Sequence, residues 1–338
     1  MLNRKFCASK SPTFHIQTVI FNRMKSMTHK LIVSILIFVF TISCVKDTAT
    51  LKEYKTKNVI VVVIDGPRYS ETWGDPSHQF IPRLANQLSS KGVIYTKFYN
   101  NGPTYTNAGH TAISTGNYQE INNGGQELPQ FPSIFQHWLK THEKDSSAAW
   151  IIASKDKLEV LSDCQNGEWN GKFNPMADCG INGLGSGYRN DSITYDKITE
   201  ILTTYQPQLV LINFREPDYS AHQNSWPDYL RGISDSDEYV YKLWNFIESE
   251  SFYQGSTTLF VTNDHGRHLD DVANGFISHG DNCEGCRHIN LFAYGPDFLQ
   301  GSIVETQRQL IDIPATIAQL LKFDMPSSNG EVMNELFK

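Results

Sequence analysis

The chain has 338 residues, enough for one large domain or two small ones. Hydrophobic residues make up 40% and aromatic residues 12%, which suits a globular core. The formal net charge is −7, and no lysine- or arginine-rich run follows residue 60. The electrostatic footprint of a protein that binds nucleic-acid duplexes is therefore missing. An acidic chain that binds an anion must draw positive charge from metals or from a few local cations.

Residues 1–44 read as a targeting segment. Arg23, Lys25 and Lys30 precede the apolar run Leu31 to Ile42, with Ser43 and Cys44 after it. A basic region, a short apolar region and a small residue make a secretory signal. The run is shorter than the roughly 20 residues of a membrane span. Cys44 resembles the lipidated cysteine of bacterial lipoproteins, although Thr41 stands where such motifs usually carry an aliphatic residue; ordinary cleavage nearby is the alternative. Met24 and Met27 are alternative starts. The expected location is periplasmic or cell-surface, with a lipid anchor through Cys44. Residues 45–57 are polar and read as a tether, ahead of a single domain over 58–338.

Asn58 to Asp65 is a continuous apolar run closed by an aspartate, the mark of a strand buried on both faces. A helix is expected over 79–91 with Gly92 as its stop, then a strand from Val93 to Phe98. The stretch from Gly102 to Gly116 runs from a loop into a helix and places Thr106 at the helix mouth. A hydroxyl there faces unpaired backbone N–H groups and the positive end of the helix dipole, a good place for a phosphate. A plain N-cap is the alternative for Thr106. Further elements follow: a helix over 131–142, a strand from Ala149 to Ala153, a helix over 191–205 and a strand over 208–214. Then come a helix over 227–250, strands over Thr257–Thr262 and Ile289–Tyr294, and a helix over 306–322. Residues 160–188 are rich in Gly, Asn, Asp and Ser and read as an irregular insertion, a candidate lid. Strands alternating with helices give an α/β fold, a three-layer sandwich around a largely parallel sheet. Ligands in such folds sit at the carboxyl ends of the strands.

The chemistry-bearing residues fall at those ends. Asp65 closes one strand. Asp218 and His222 follow another, four apart, so that on a helical turn they share a face. Asp264 and His265 follow a third, and His279 comes later in a Gly- and Cys-rich loop. Each alone is compatible with a turn. Together three carboxylates and three imidazoles suit Zn²⁺, and two such ions leave net positive charge to attract a phosphate. A free threonine hydroxyl is too weakly acidic to attack phosphorus near neutral pH, so Thr106 needs activation of that kind.

Asp65-Gly66, Pro103 to Thr106 with His110, Thr115-Gly116, Glu216-Pro217-Asp218 with His222, and Asp264-His265-Gly266 resemble the alkaline phosphatase superfamily. The closest likeness is to its nucleotide pyrophosphatase/phosphodiesterase branch, over roughly 58–325. Ala293 to Pro296 and Asp312 to Leu321 are similar to that superfamily's last strand and helix. The resemblance implies a phosphodiesterase acting on a small phosphate ester with two Zn²⁺ per chain. Asp65, Thr106, Asp264 and His265 would surround one ion; Asp218, His222 and a late histidine would hold the other. Thr106 would be the nucleophile, passing through a covalent phospho-threonine. His279 is the preferred late histidine, with His288 and then His268 as rivals. Asn122 is the nearest match to the branch's asparagine that holds a phosphoryl oxygen. Asn107-Ala108-Gly109 departs from the usual Phe-Pro-Asn after the threonine, and Arg68, Arg267 and Arg287 are further candidates for local positive charge.

A monoesterase or phosphonate hydrolase with the same residues is the second reading. A sulfatase is the third, although 102–116 lacks the Cys- or Ser-x-Pro-x-Arg motif by which sulfatases resemble one another. A non-catalytic surface-binding lipoprotein on the same fold is the fourth. Export makes disulfides the expected state of Cys164, Cys179, Cys283 and Cys286, and Cys164–Cys179 with Cys283–Cys286 is the simplest pairing. Zinc at Cys283-x-x-Cys286 is the alternative, against which stands the lack of a second ligand pair at the usual spacing.

Overall fold

A nine-stranded sheet forms the middle layer of the computed structural model, which describes residues 53–338. The strands are β1 (Asn58–Asp65), β2 (Val93–Tyr99), β3 (Ala149–Ala153), β4 (Met176–Cys179), β5 (Leu209–Pro217), β6 (Thr257–Thr262), β7 (His288–Tyr294), β8 (Ser302–Val304) and β9 (Arg308–Gln309). Their order is β4-β3-β5-β1-β6-β7-β2-β8, with β9 also on β2. Every pairing is parallel except those of β7, which runs antiparallel to both β6 and β2.

Residue alternation along β1 explains the layers. Val59, Val61 and Val63 face one apolar cluster, and Ile60, Val62 and Ile64 face the other. The first face is covered by α1 (Thr106–Thr115), α2 (Ile134–Thr141) and α7 (Asp312–Leu321), through residues such as Ile113, Trp138 and Ile317. The second is covered by α3 (Asp191–Tyr205) and α5 (Trp226–Ser249), through Ile198, Val240 and Leu243. Each such fully buried aliphatic side chain contributes about 1.5–3 kcal/mol. Two short helices, α4 (Asp218–His222) and α6 (Glu284–Arg287), sit in loops.

Several expectations change. The helix expected over 79–91 is a π-helical turn over Leu84–Leu88 followed by a 3₁₀ turn. The last helix begins at Asp312, and the preceding residues form β9. The stretch 160–188 is not wholly irregular: it supplies β4, the edge strand beside β3. All four described cysteines are free thiols, so neither expected disulfide is present.

The expectations for residues 1–44, including Cys44, and for the tether as far as residue 52 lie outside the described residues. Among the described residues no helix is long and apolar enough to cross a membrane.

Candidate metal centre

Four adjacent parallel strands, β3, β5, β1 and β6, end along one edge of the sheet. Lys155 follows β3, Asp218 follows β5 and opens α4, Asp65 ends β1, and Asp264 with His265 follow β6. Parallel pairing brings all of these side chains to one place. Thr106 arrives from the other side as the first residue of α1. Tyr105 occupies the N-cap position without a side-chain bond, so the Thr106 hydroxyl is not spent on capping. It is buried and accepts a hydrogen bond from Lys155 Nζ at 3.2 Å.

Ligand atoms of Asp65, Asp264 and His265 lie within 4.8 Å of one another, as do those of Asp218, His265 and His279. His222 Nε2 is 3.2 Å from Asp218 Oδ1 and 3.1 Å from His279 Nε2, as the spacing on a helical turn requires. The structure thus brings Asp65, Thr106, Asp218, His222, Asp264, His265 and His279 together. His288 is elsewhere, stacked between Tyr69 and Tyr99 with Nε2 at 2.7 Å from the Thr96 carbonyl. His268 faces Asp281 instead.

Asn122 lies apart from this cluster: its side chain is exposed and accepts from Gly124 N at 2.7 Å. The neighbouring Asn123 reaches the centre: its Oδ1 accepts from the Asn107 backbone N–H at 3.0 Å and from Lys157 Nζ at 3.2 Å. With Thr106, Lys155, Lys157, Tyr188 and His279 it lines a cavity of about 380 Å³.

The donor set fits metal ions. His265 Nδ1 sits 2.9 Å from the Gly266 carbonyl, and His279 Nδ1 sits 2.7 Å from the Thr104 carbonyl. A carbonyl only accepts, so each Nδ1 carries the proton and each Nε2 presents a lone pair to the cluster. Backbone carbonyls orient metal-binding histidines in this way. Burial pushes the His265 imidazole down to about 3, which keeps it neutral. Asp264 Oδ2 and His265 Nε2 are buried without a hydrogen-bond partner, and Asp65 Oδ1 has none besides its ion pair with Lys155 Nζ at 2.9 Å. Converging acceptors with so few donors are costly unless a further cation lies among them. The other carboxylate oxygens are held by the protein: Asn213 Nδ2 donates to Asp65 Oδ2 at 3.1 Å, and the Gly66 and His265 backbone N–H groups donate to Asp264 Oδ1.

Sequence reasoning missed Lys155. It is fully buried, with Nζ 2.9 Å from Asp65 Oδ1 and 2.6 Å from Asp218 Oδ2. Burial alone would weaken the ammonium, but Asp218 and Asp65 outweigh it and keep Lys155 charged. Burial likewise opposes the Asp218 carboxylate, and Lys155 overrides it and holds the group well below the usual range. Asp65 goes the other way: burial and the neighbouring Asp264 raise it against the pull of Lys155. Arg267 is also buried, bonded through Nη1 to Asp218 Oδ1 and through Nη2 to the Ile277 carbonyl at 2.7 Å. Lys155 stands just past an apolar strand, where the rule that located the aspartates also applies. Asn213 is a lone amide within an apolar strand, a second legible signal.

A family model described as the metalloenzyme superfamily matches residues 57–325. Among solved structures, the fold is similar to a protein in the alkaline phosphatase superfamily from Vibrio parahaemolyticus, with a TM-score of 0.61 and 16% identity over 85% of this chain and 72% of that one. It is similar to murine ectonucleotide pyrophosphatase/phosphodiesterase 5, at 0.60 and 17% over 83% of this chain and 100% of that one. It is also similar to the PsFucS1 sulfatase from Pseudoalteromonas sp., at 0.61 and 14% over 84% and 72%. No curated protein matches the sequence. The match over most of the chain, on a mostly parallel sheet whose strand ends gather aspartates and histidines, leads to one conclusion: this chain belongs to the metalloenzyme superfamily, with an alkaline-phosphatase-like fold and the divalent metal that membership implies.

Proposed function

We propose that the protein hydrolyses phosphate esters with two Zn²⁺ ions and Thr106 as nucleophile. The observation that carries this is the Thr106 hydroxyl, free of capping, beside a buried ammonium and two groups of metal-ligand atoms. Asp65, Asp264 and His265 would hold one ion, and Asp218, His222 and His279 the other. Ions bound there supply Lewis-acid charge for the phosphoryl oxygens.

The protein's own residues account for the rest. Thr106 Oγ1 attacks phosphorus and gives up its proton to solvent, the P–O bond to the ester oxygen breaks and that oxygen takes a proton from water to leave as the alcohol, and water then cleaves the phospho-threonine to restore the Thr106 hydroxyl. Lys155 is already protonated, so it does not accept the Thr106 proton; it stabilises negative charge as that charge develops on Oγ1. Lys157 and Asn123 line the side of the cavity where a phosphoryl oxygen would lie.

The sequence resemblance favours a diester. The two lysines in the cavity favour a second reading, a monoester, whose phosphate carries more charge. The targeting segment favours an exported, lipid-anchored enzyme. The test compares p-nitrophenyl phosphodiester, phosphomonoester and sulfate with zinc-loaded wild type and Thr106→Ala. Diester turnover lost in the variant supports the leading reading, and monoester preference moves the protein to the second. Sulfate turnover that survives Thr106→Ala overturns both.

A further inference from the structure

A separate cluster lies in the loop between β6 and β7. Side-chain ligand atoms of His268, Asp281, Cys283 and Cys286 all lie within 4.8 Å of one another. Both cysteines are free thiols, and Cys286 is fully buried. His268 has only 7% of its side chain exposed, and its Nε2 is 3.0 Å from Asp281 Oδ2 yet makes no hydrogen bond. Its Nδ1 is 2.9 Å from Ser278 Oγ, which fixes the ring with Nε2 on the side of Asp281. A buried imidazole edge without a hydrogen bond, gathered within 4.8 Å of two sulfurs and a carboxylate, is an arrangement that a cation completes.

We propose that His268, Asp281, Cys283 and Cys286 form a third metal site, a structural zinc site separate from the catalytic pair. Two thiolates exclude Mg²⁺ and Ca²⁺, which take oxygen ligands. Two sulfurs, one imidazole and one carboxylate suit tetrahedral Zn²⁺, and the mutual separations fit Zn–S bonds of about 2.3 Å and Zn–N bonds of about 2.0–2.1 Å. Four protein ligands close the coordination sphere, so the site is structural rather than catalytic. On binding, each thiol gives up its proton to solvent and each sulfur forms one bond to the metal.

The backbone is already arranged for this. Cys286 N and Arg287 N both donate to the Cys283 carbonyl, which wraps the Cys-x-x-Cys turn around its centre. Gly266 N donates to the Cys286 carbonyl at 2.8 Å, and His268 N donates to the Ser278 carbonyl at 3.1 Å. The two ligand-bearing turns touch so closely that a Cβ on Gly266 would lie 2.1 Å from the Gly285 carbonyl oxygen. The loop they clasp carries His279. Thr104 Oγ1 donates to the Asp281 carbonyl at 2.9 Å, while the Thr104 carbonyl holds His279 Nδ1. A metal here fixes the loop that delivers His279 to the catalytic cluster.

The test uses the full chain loaded with Co²⁺ in place of Zn²⁺. The expected result is a thiolate-to-cobalt charge-transfer band in the near ultraviolet, present in wild type and in Thr106→Ala, and lost in Cys283→Ser/Cys286→Ser. The catalytic cluster contains no cysteine, so the band reports this site alone and its presence does not depend on ester hydrolysis. If the double variant fails to fold, titration of the wild-type zinc protein with an organomercurial is expected to release a single zinc per chain while the catalytic zinc stays bound. A wild-type spectrum without the band, or a Cys283–Cys286 disulfide in protein that still holds its catalytic metals, overturns the proposal.

Discussion

Lys155 Nζ lies 2.6 Å from Asp218 Oδ2 and 2.9 Å from Asp65 Oδ1, so one ammonium spans two aspartates that the family resemblance assigns to different metal ions. Without metals, Lys155 is the central cation among three buried carboxylates. Removing one partner from a buried ionic group costs about 3–5 kcal/mol, because the other charges stay buried and uncompensated. Lys155→Met is therefore expected to lower the melting temperature of the chelator-treated protein by roughly 5–9 °C, at a little under ~2 °C per kcal/mol for a domain of ~300 residues. Zinc is expected to recover most of that loss, since it restores positive charge to the same carboxylates. Thermal unfolding of both proteins with and without chelator checks this; an equal drop in the two conditions would show that Lys155 serves packing alone.

The two neighbouring asparagines separate cleanly. Asn123 lines the cavity and bonds the Asn107 N–H at the start of α1, whereas the Asn122 side chain is turned to Gly124. Asn123→Ala is expected to lower kcat by ~10²-fold, the scale for loss of one polar group that stabilises the transition state. Asn122→Ala is expected to stay within a factor of about two, like other surface changes. Steady-state kinetics of the pair on the best ester substrate decides; the reverse ranking would return the role to Asn122.

Much of this centre was legible because sheet topology does the assembling. The runs at Asn58–Asp65, Leu209–Phe214 and Thr257–Thr262 are apolar on both faces, so each is a central strand, and the polar residue just past each falls on one edge. Lys155 escaped because a lysine after a strand is by default a solvated residue, and only the convergence of Asp65 and Asp218 turns it inward. The one-residue shift from Asn122 to Asn123 depends on turn geometry that carries no sequence period. Strand β4 is four residues long with no alternation, and only its pairing with β3 reveals it. Local spacing around Cys283 and Cys286 shows no second ligand pair, whereas His268 arrives beside them through the loop's own folding. Arg68 and Arg267 look like surface cations in sequence and are buried by their ion pairs with Glu71 and Asp218.

Lys157 gives the site a pH dependence. Burial, and then the charge of Lys155, depress its ammonium to about 8. The charged form therefore prevails below that value and is lost as the pH rises through it. An anionic ester should bind less well above it, so KM is expected to rise several-fold between about pH 7 and 9, over which the unperturbed lysine pKa of about 10.4 predicts no change. Lys157→Arg keeps its charge throughout and is expected to flatten this rise. KM against pH for the two proteins is the measurement, and an identical slope in both would assign the rise to another group.

Gly109 tests how closely α1 must approach the proposed metal ligands. It lies one turn after Thr106, and its backbone N–H donates to the Tyr105 carbonyl at 2.8 Å. A Cβ there would sit 2.5 Å from the Asp264 carbonyl oxygen and 2.8 Å from Asp264 Cβ. Neither atom is the free end of a flexible side chain, so either the helix or Asp264 must move. Overpacking of this kind costs about 1–3 kcal/mol. Because the displaced residue is a proposed ligand, Gly109→Ala is expected to weaken metal binding as well as lower the melting temperature. Gly167→Ala is the control: a Cβ there meets nothing within 4 Å, and its stability is expected to stay near wild type. If Gly109→Ala binds zinc as tightly as wild type while losing stability, the close approach serves packing only. If it loses affinity in step with activity, the position of α1 sets both the nucleophile and the ligand opposite it.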